Sequence, residues 1–114
     1  MPLAKQWLAS LSAEPFGVPG VVAMELVMGC RDQADQRQVQ KFVRRFQILW
    51  PDASEFAHAY DLLAAYRLGF GVGIPDCLIA ATALSRNATL LTFNLKHFQA
   101  IRGLDVRQPY LRAP

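Results

Sequence analysis

The chain has 114 residues, 53% of them hydrophobic and 18% charged, with a formal net charge of +3 and a pI near 9.2. That balance excludes intrinsic disorder and fits one domain with a modest core. The basic excess permits an anionic partner such as RNA without requiring one.

Cys30 and Cys77 lie far apart and match no zinc or redox spacing, so a reduced cytoplasmic chain is expected. His58 and His97 are isolated and form no metal-binding pair. The residues from Met1 to Trp7 lack the layout of a signal peptide. The longest apolar run, Val18 to Met28, is broken by Pro19, Gly20 and Glu25 and is too short to span a bilayer. Nothing repeats and no linker divides the chain, so residues 1–114 read as a single domain.

In chain order, Leu3, Trp7, Leu8 and Leu11 recur at helical spacing, and Glu14-Pro15 stops that pattern. Phe16-Gly17-Val18-Pro19 reads as a short strand. From Val21 to Met28 every residue except Glu25 is apolar, and Gly29 is the expected helix stop. Asp32 to Trp50 is strongly amphipathic. Val39, Phe42, Val43, Phe46 and Leu49 form its apolar stripe, while Lys41, Arg44 and Arg45 solvate the outer face. A short strand fits around Ile48-Leu49-Trp50.

Ser54 is the expected N-cap of the next helix, with Glu55 in its first turn and Phe56, Tyr60 and Leu63 on its inner side. Gly69 to Gly73 ends it in a glycine-rich loop without the Gly-Lys-Ser/Thr of a phosphate-cradling P-loop. Pro75 suits a first helical turn, so Asp76 to Leu84 should be a helix that is apolar nearly all round and buried. Arg86-Asn87-Ala88 reads as a turn, Thr89 to Phe93 as a strand, and Asn94 to Phe98 as a short helical turn. Leu104-Asp105-Val106 is a candidate edge strand. Alternating helices and short strands indicate an α/β sandwich with a largely parallel sheet, whose ligands bind beyond the carboxyl ends of the strands.

Two acids stand out. Asp76 sits at the positive end of a helix dipole, where a carboxylate is favoured either as an ordinary helix-start residue or as a ligand. Glu25 lies in a segment expected to pack into the core, where an unpartnered carboxylate costs several kcal/mol and is kept when it holds a ligand. The alternative is that Glu25 faces solvent or pairs with Arg31.

Ala23-Met24-Glu25-Leu26, Pro75-Asp76-Cys77-Leu78-Ile79-Ala80-Ala81-Thr82-Ala83 and Leu91-Thr92-Phe93-Asn94-Leu95-Lys96-His97-Phe98 together resemble a PIN domain, in family order and spacing. The likeness is to the VapC-like ribonuclease toxins of toxin–antitoxin pairs. It implies a three-layer α/β sandwich with a short, mainly parallel sheet, and an endoribonuclease dependent on Mg²⁺ or Mn²⁺. Carried over residue by residue, it implies Glu25 and Asp76 as metal ligands and catalytic groups. It implies Asn94 and Thr92 as further catalytic positions, and His97 at a place where relatives carry Asp, Glu or His. Lys96, Arg86 and Arg102 are candidates for phosphate contacts.

A PIN domain normally opens with a hydrophobic strand ending in an aspartate, and Met1 coincides with where the following helix should begin. The expectation is therefore a PIN-like domain lacking its first strand and that acid. It would be a fragment, a chain whose start is assigned too late, or a natural variant without catalysis. The sheet edge left open is expected to be covered in a homodimer. The expected partners are RNA, a cognate antitoxin and a second copy, with no membrane. The alternative function is a catalytically inactive PIN-like module that binds an antitoxin or itself.

Overall fold

A computed structural model of the chain describes residues 17–109. Its contacts gather into two units, Met1–Trp50 and Pro51–Pro114. The expected opening helix through Leu3, Trp7, Leu8 and Leu11, with its stop at Glu14-Pro15, lies outside the described residues.

In the first unit, strands β1 (Gly17–Pro19) and β2 (Gln47–Leu49) pair in parallel, with Val18 opposite Ile48. Both strands fall where the sequence predicts them. A parallel pair needs a long crossover, and helices α1 (Gly20–Met28) and α2 (Gln33–Val43) supply it. Gly20 opens α1 because a Cβ there would overlap the ring of Trp50. Gly29 caps α1 as expected, although with right-handed backbone at φ −77°.

The burial of Glu25 is corrected. Only Gly20 and Ala23 of α1 are buried, Met24 and Met28 are 60% and 85% exposed, and Glu25 is exposed as well. The reason is geometric: at 3.6 residues per turn, one narrow side of a nine-residue helix meets the strands, and an apolar composition does not make the other sides internal. Arg31 does not pair with Glu25 either. The Asp32 side chain accepts from Asp35 N–H at 2.8 Å to cap α2, and Asp35 in turn receives Arg31 Nε at 3.2 Å. Along α2, Val39, Phe42 and Val43 are half-buried while Lys41, Arg44 and Arg45 are exposed, as the amphipathic pattern predicts. Phe42 and Phe46 meet edge to face at 5.4 Å.

The second unit is built on α3 (Ala53–Phe70) packed against α4 (Ile74–Ser85). The N-cap of α3 is Asp52 rather than Ser54. Glu55 N–H donates to Asp52 Oδ1 at 2.7 Å and Asp52 N–H donates to Glu55 Oε1 at 2.9 Å, a reciprocal box that satisfies two otherwise unpaired donors. Its inner side is also rotated by one position from expectation. Glu55, Ala59 and Leu62 are buried, whereas Phe56 and Tyr60 are 55% and 74% exposed. Glu55 must reach the end of α4, and the small Ala59 allows close packing there. The helix ends at Gly71, whose φ of 72° is the left-handed conformation of a glycine stop. Arg67 Nη1 donates to the carbonyls of Gly71 and Val72 at 3.2 and 2.9 Å, covering acceptors that the last turn leaves open.

Helix α4 is buried as expected, through Cys77, Ile79, Ala80, Ala81, Thr82 and Ala83. The Thr82 hydroxyl is satisfied by the Leu78 carbonyl at 2.8 Å. After a turn at Asn87, with φ of 51°, strands β3 (Leu90–Leu91) and β4 (Val106–Arg107) pair in parallel. The expected strand over Thr89 to Phe93 contracts to two residues because Thr92 Oγ1 accepts from Asn94 N–H at 3.1 Å and bends the chain. The final strand lies slightly later than Leu104–Val106, where Leu90 N–H donates to Asp105 O and Thr92 N–H donates to Arg107 O. Helix α5 (Leu95–Phe98) follows the bend and anchors it through the buried Phe98. The α/β reading with short parallel sheets holds. Among the described residues, no helix is long and apolar enough to cross a membrane.

Candidate functional site

Asp76 owes its position to local chemistry. Pro75 fixes the backbone at the start of α4, and the carboxylate two residues into the helix turns back to accept Gly73 N–H on Oδ2 at 3.0 Å. Glycine has no side chain, so only this half of a capping box forms. Asp76 Oδ1 has no hydrogen-bond partner among the described residues, and the side chain remains 20% exposed.

The β3–α5 bend delivers the other groups. Thr92 Oγ1 accepts from the backbone N–H of Asn94, Asn94 stands at the N-cap position of α5 without a side-chain capping bond, and His97 follows one helical turn later. His97 Nδ1 lies 3.1 Å from Asp76 Oδ2 and 2.9 Å from the Asn94 side-chain amide. The structure therefore brings Asp76, Asn94, Thr92 and His97 together at the front of α4. Glu25 belongs to the other unit, exposed on α1. Among the described residues, no three His, Cys, Asp or Glu side chains gather as a metal-binding group.

His97 is the group that sequence reading undervalued. It reads as isolated, yet it is the direct partner of Asp76. The available signal was Asn94-x-x-His97, a spacing that puts both side chains on one face of a single helical turn.

Arg86 is corrected as a phosphate contact. Its Nε and Nη2 reach the two Glu55 oxygens at 3.2 and 3.3 Å, and Ser85 Oγ also donates to Glu55 Oε2. Burial by itself would raise the Glu55 carboxyl. The donors from Ser85, the Asp52 backbone and Arg86 outweigh it and hold the group below the usual glutamate range. Arg86 is thus tied into the join between α3 and α4. Lys96 and Arg102 remain exposed.

The first unit carries an apolar groove of about 490 Å³ lined by Ala23, Met24, Val27, Met28, Val43, Ile48 and Trp50, with Gln40 and Arg44 completing the wall. Trp50 is 60% exposed there.

An acid presented from the start of a buried helix, beside a strand–turn–helix bearing Thr, Asn and His, is an arrangement of the α/β class. Residues 2–104 match the PIN domain, and the chain belongs to that family. It is 32% identical over 103 residues to "Ribonuclease VapC10" of Mycobacterium tuberculosis, covering 89% of this chain and 77% of that protein. It is 29% identical over 102 residues to the "tRNA(fMet)-specific endonuclease VapC" of Salmonella typhimurium, covering 85% of this chain and 77% of that one. Among solved structures, a DNA-bound VapBC from Salmonella typhimurium superposes with a TM-score of 0.70 at 26% identity, over 82% of this chain and 75% of that chain.

Proposed function

We propose that the protein is a divalent-metal-dependent endoribonuclease of the VapC-like toxin type, hydrolysing RNA phosphodiester bonds. The observation that carries this reading is the oriented Asp76 carboxylate, braced on Oδ2 and without a hydrogen-bond partner on Oδ1 among the described residues. It stands in a family whose similar members are named as ribonucleases.

The donor chemistry fits a hard ion. Carboxylate oxygens of Asp76 and Glu25 suit Mg²⁺ or Mn²⁺, which take oxygen ligands and retain several waters. Such an ion, when bound, polarises a phosphate and lowers the pKa of a coordinated water. In this reading Asp76 holds the ion, Glu25 is the second acid that the family resemblance implies, and Asn94 and Thr92 orient the groups around Asp76. Lys96 and Arg102 meet the RNA backbone, since lysine and arginine supply most phosphate affinity.

A cognate antitoxin is the proposed protein partner, supported by the VapBC complexes among the solved relatives. The apolar groove of the first unit offers surface for it. A homodimer and a cytoplasmic site of action complete the proposal.

The test is incubation of the purified chain with RNA and Mg²⁺ or Mn²⁺ beside an Asp76→Ala variant. Metal-dependent cleavage by the wild type that disappears in the variant supports the assignment. Equal cleavage by both removes Asp76 from the site. Cleavage by neither favours a non-catalytic PIN-like module that binds an antitoxin or itself.

A further inference from the structure

We propose that His97 is a positioning residue: its Nδ1–H, together with the Gly73 backbone N–H, holds Asp76 Oδ2 so that Oδ1 is the atom presented to a divalent ion. The inference rests on the assignment of Asp76 as a metal ligand above.

The two carboxylate oxygens are unequal. Oδ2 lies 3.0 Å from Gly73 N and 3.1 Å from His97 Nδ1, so two donors occupy its lone pairs. Oδ1 receives none among the described residues. A carboxylate held in this way keeps one orientation and offers a single oxygen, the arrangement by which outlying hydrogen bonds tune a metal ligand.

The proton on His97 follows from its neighbours. A ring nitrogen carries either a hydrogen or a lone pair, and Nδ1 faces both Asp76 Oδ2 and the Asn94 amide. With a lone pair on Nδ1, two acceptors would confront each other at 3.1 Å. With a hydrogen there, Asp76 Oδ2 accepts it, and the Asn94 amide turned to present its oxygen accepts it too. The satisfied network therefore has Nδ1 as donor. It also gives Asn94 and Thr92 a shared task. Thr92 Oγ1 fixes the Asn94 backbone, Asn94 steadies the imidazole, and the imidazole steadies Asp76.

The experiment measures Mn²⁺ binding directly, by electron paramagnetic resonance of free Mn²⁺ over the full chain, with circular dichroism to confirm folding. His97→Ala is expected to weaken Mn²⁺ binding by about 10- to 100-fold. His97→Asn sets an amide N–H near the place of Nδ1 and should recover most of that loss. His97→Gln, whose amide lies nearer the place of Nε2, should not. Bound Mn²⁺ in the wild type should show no imidazole nitrogen coupling. Unchanged affinity in His97→Ala overturns the proposal, as does equal behaviour of the Asn and Gln variants. Imidazole coupling to the bound ion also overturns it, because His97 is then itself a ligand. Equal Mn²⁺ affinity in wild type and Asp76→Ala is a different failure: it removes the metal-ligand assignment beneath this proposal.

Discussion

Glu55 and Arg86 are 31 positions apart in the chain and 3.2 Å apart in space, and their contact joins the first turn of α3 to the end of α4. Glu55 is 3% exposed, yet each of its oxygens is satisfied: Oε1 by the Asp52 backbone and Arg86, Oε2 by Ser85 and Arg86. One side chain thus completes a helix cap and ties down the neighbouring helix. Glu55→Ala should cost about 2 kcal/mol, combining a lost cap with lost charged hydrogen bonds, and moderated because Arg86 is partly exposed. Urea unfolding near neutral pH measures it.

The same contact predicts a pH dependence with a definite sign. The folded-state pKa of Glu55 is depressed below its ordinary value of 4.5. Its contribution is therefore complete above that value and is lost as pH falls through the lower folded-state value. The stability gap between wild type and Glu55→Gln should be constant from neutral pH to about 4.5 and shrink below it. A gap that persists unchanged into strong acid contradicts the mechanism.

Two glycines near the end of α3 should respond to alanine with opposite signs. Gly69 is within the helix, and a Cβ added there meets nothing within 4 Å, so Gly69→Ala should stabilise by about 0.5 kcal/mol. Gly71 has equal space but a φ of 72°, so Gly71→Ala should destabilise by about 1 kcal/mol. Thermal unfolding of both variants decides it, and a shared sign would refute the backbone explanation.

The cysteines should differ in reactivity. Cys77 is 1% exposed, and burial together with the neighbouring Asp76 charge pushes its thiol up, which suppresses the thiolate. Cys30 is half-exposed beyond the end of α1. A thiol-reactive maleimide followed by mass spectrometry should label Cys30 alone in the native protein and both residues in denaturant. Native labelling of Cys77 on the same timescale would show that α4 opens.

Substitutions at Asp76 should separate its structural and chemical tasks. Asp76→Ala removes the acceptor for Gly73 N–H and should cost about 1 kcal/mol of stability. Asp76→Asn keeps an acceptor oxygen and should lose less, yet both should lose metal-dependent RNA cleavage, because a neutral amide is a poor ligand for a hard ion. Full cleavage by Asp76→Asn would confine Asp76 to helix capping.

Helix starts were the most legible part of this chain. Pro75-Asp76 before an apolar run announces α4 because the dihedral preference and the cap act within three residues. The same locality explains β1, β2 and the glycine stop at Gly71. Asp52 and Ser54 are both good caps, and the choice between them depends on which register lets Glu55 reach back.

The inner sides of α1 and α3, and the side-chain partners, were not legible. Helix α1 is apolar almost throughout, so its composition could not say that Gly20 and Ala23 would be internal while Glu25 and Met28 faced out. On α3, the phase of burial is set by Ser85 and Arg86, which the chain supplies only a helix later. The pairing of His97 with Asp76 depends on where the β3–β4 pair sets down α5. The sequence by itself determined the order and approximate place of the elements and which acid heads the buried helix, because those signals pass between residues a few bonds apart. Only the tertiary structure decided which sides are internal and which groups touch, because those outcomes belong to surfaces from distant segments that acquire neighbours only when the chain packs.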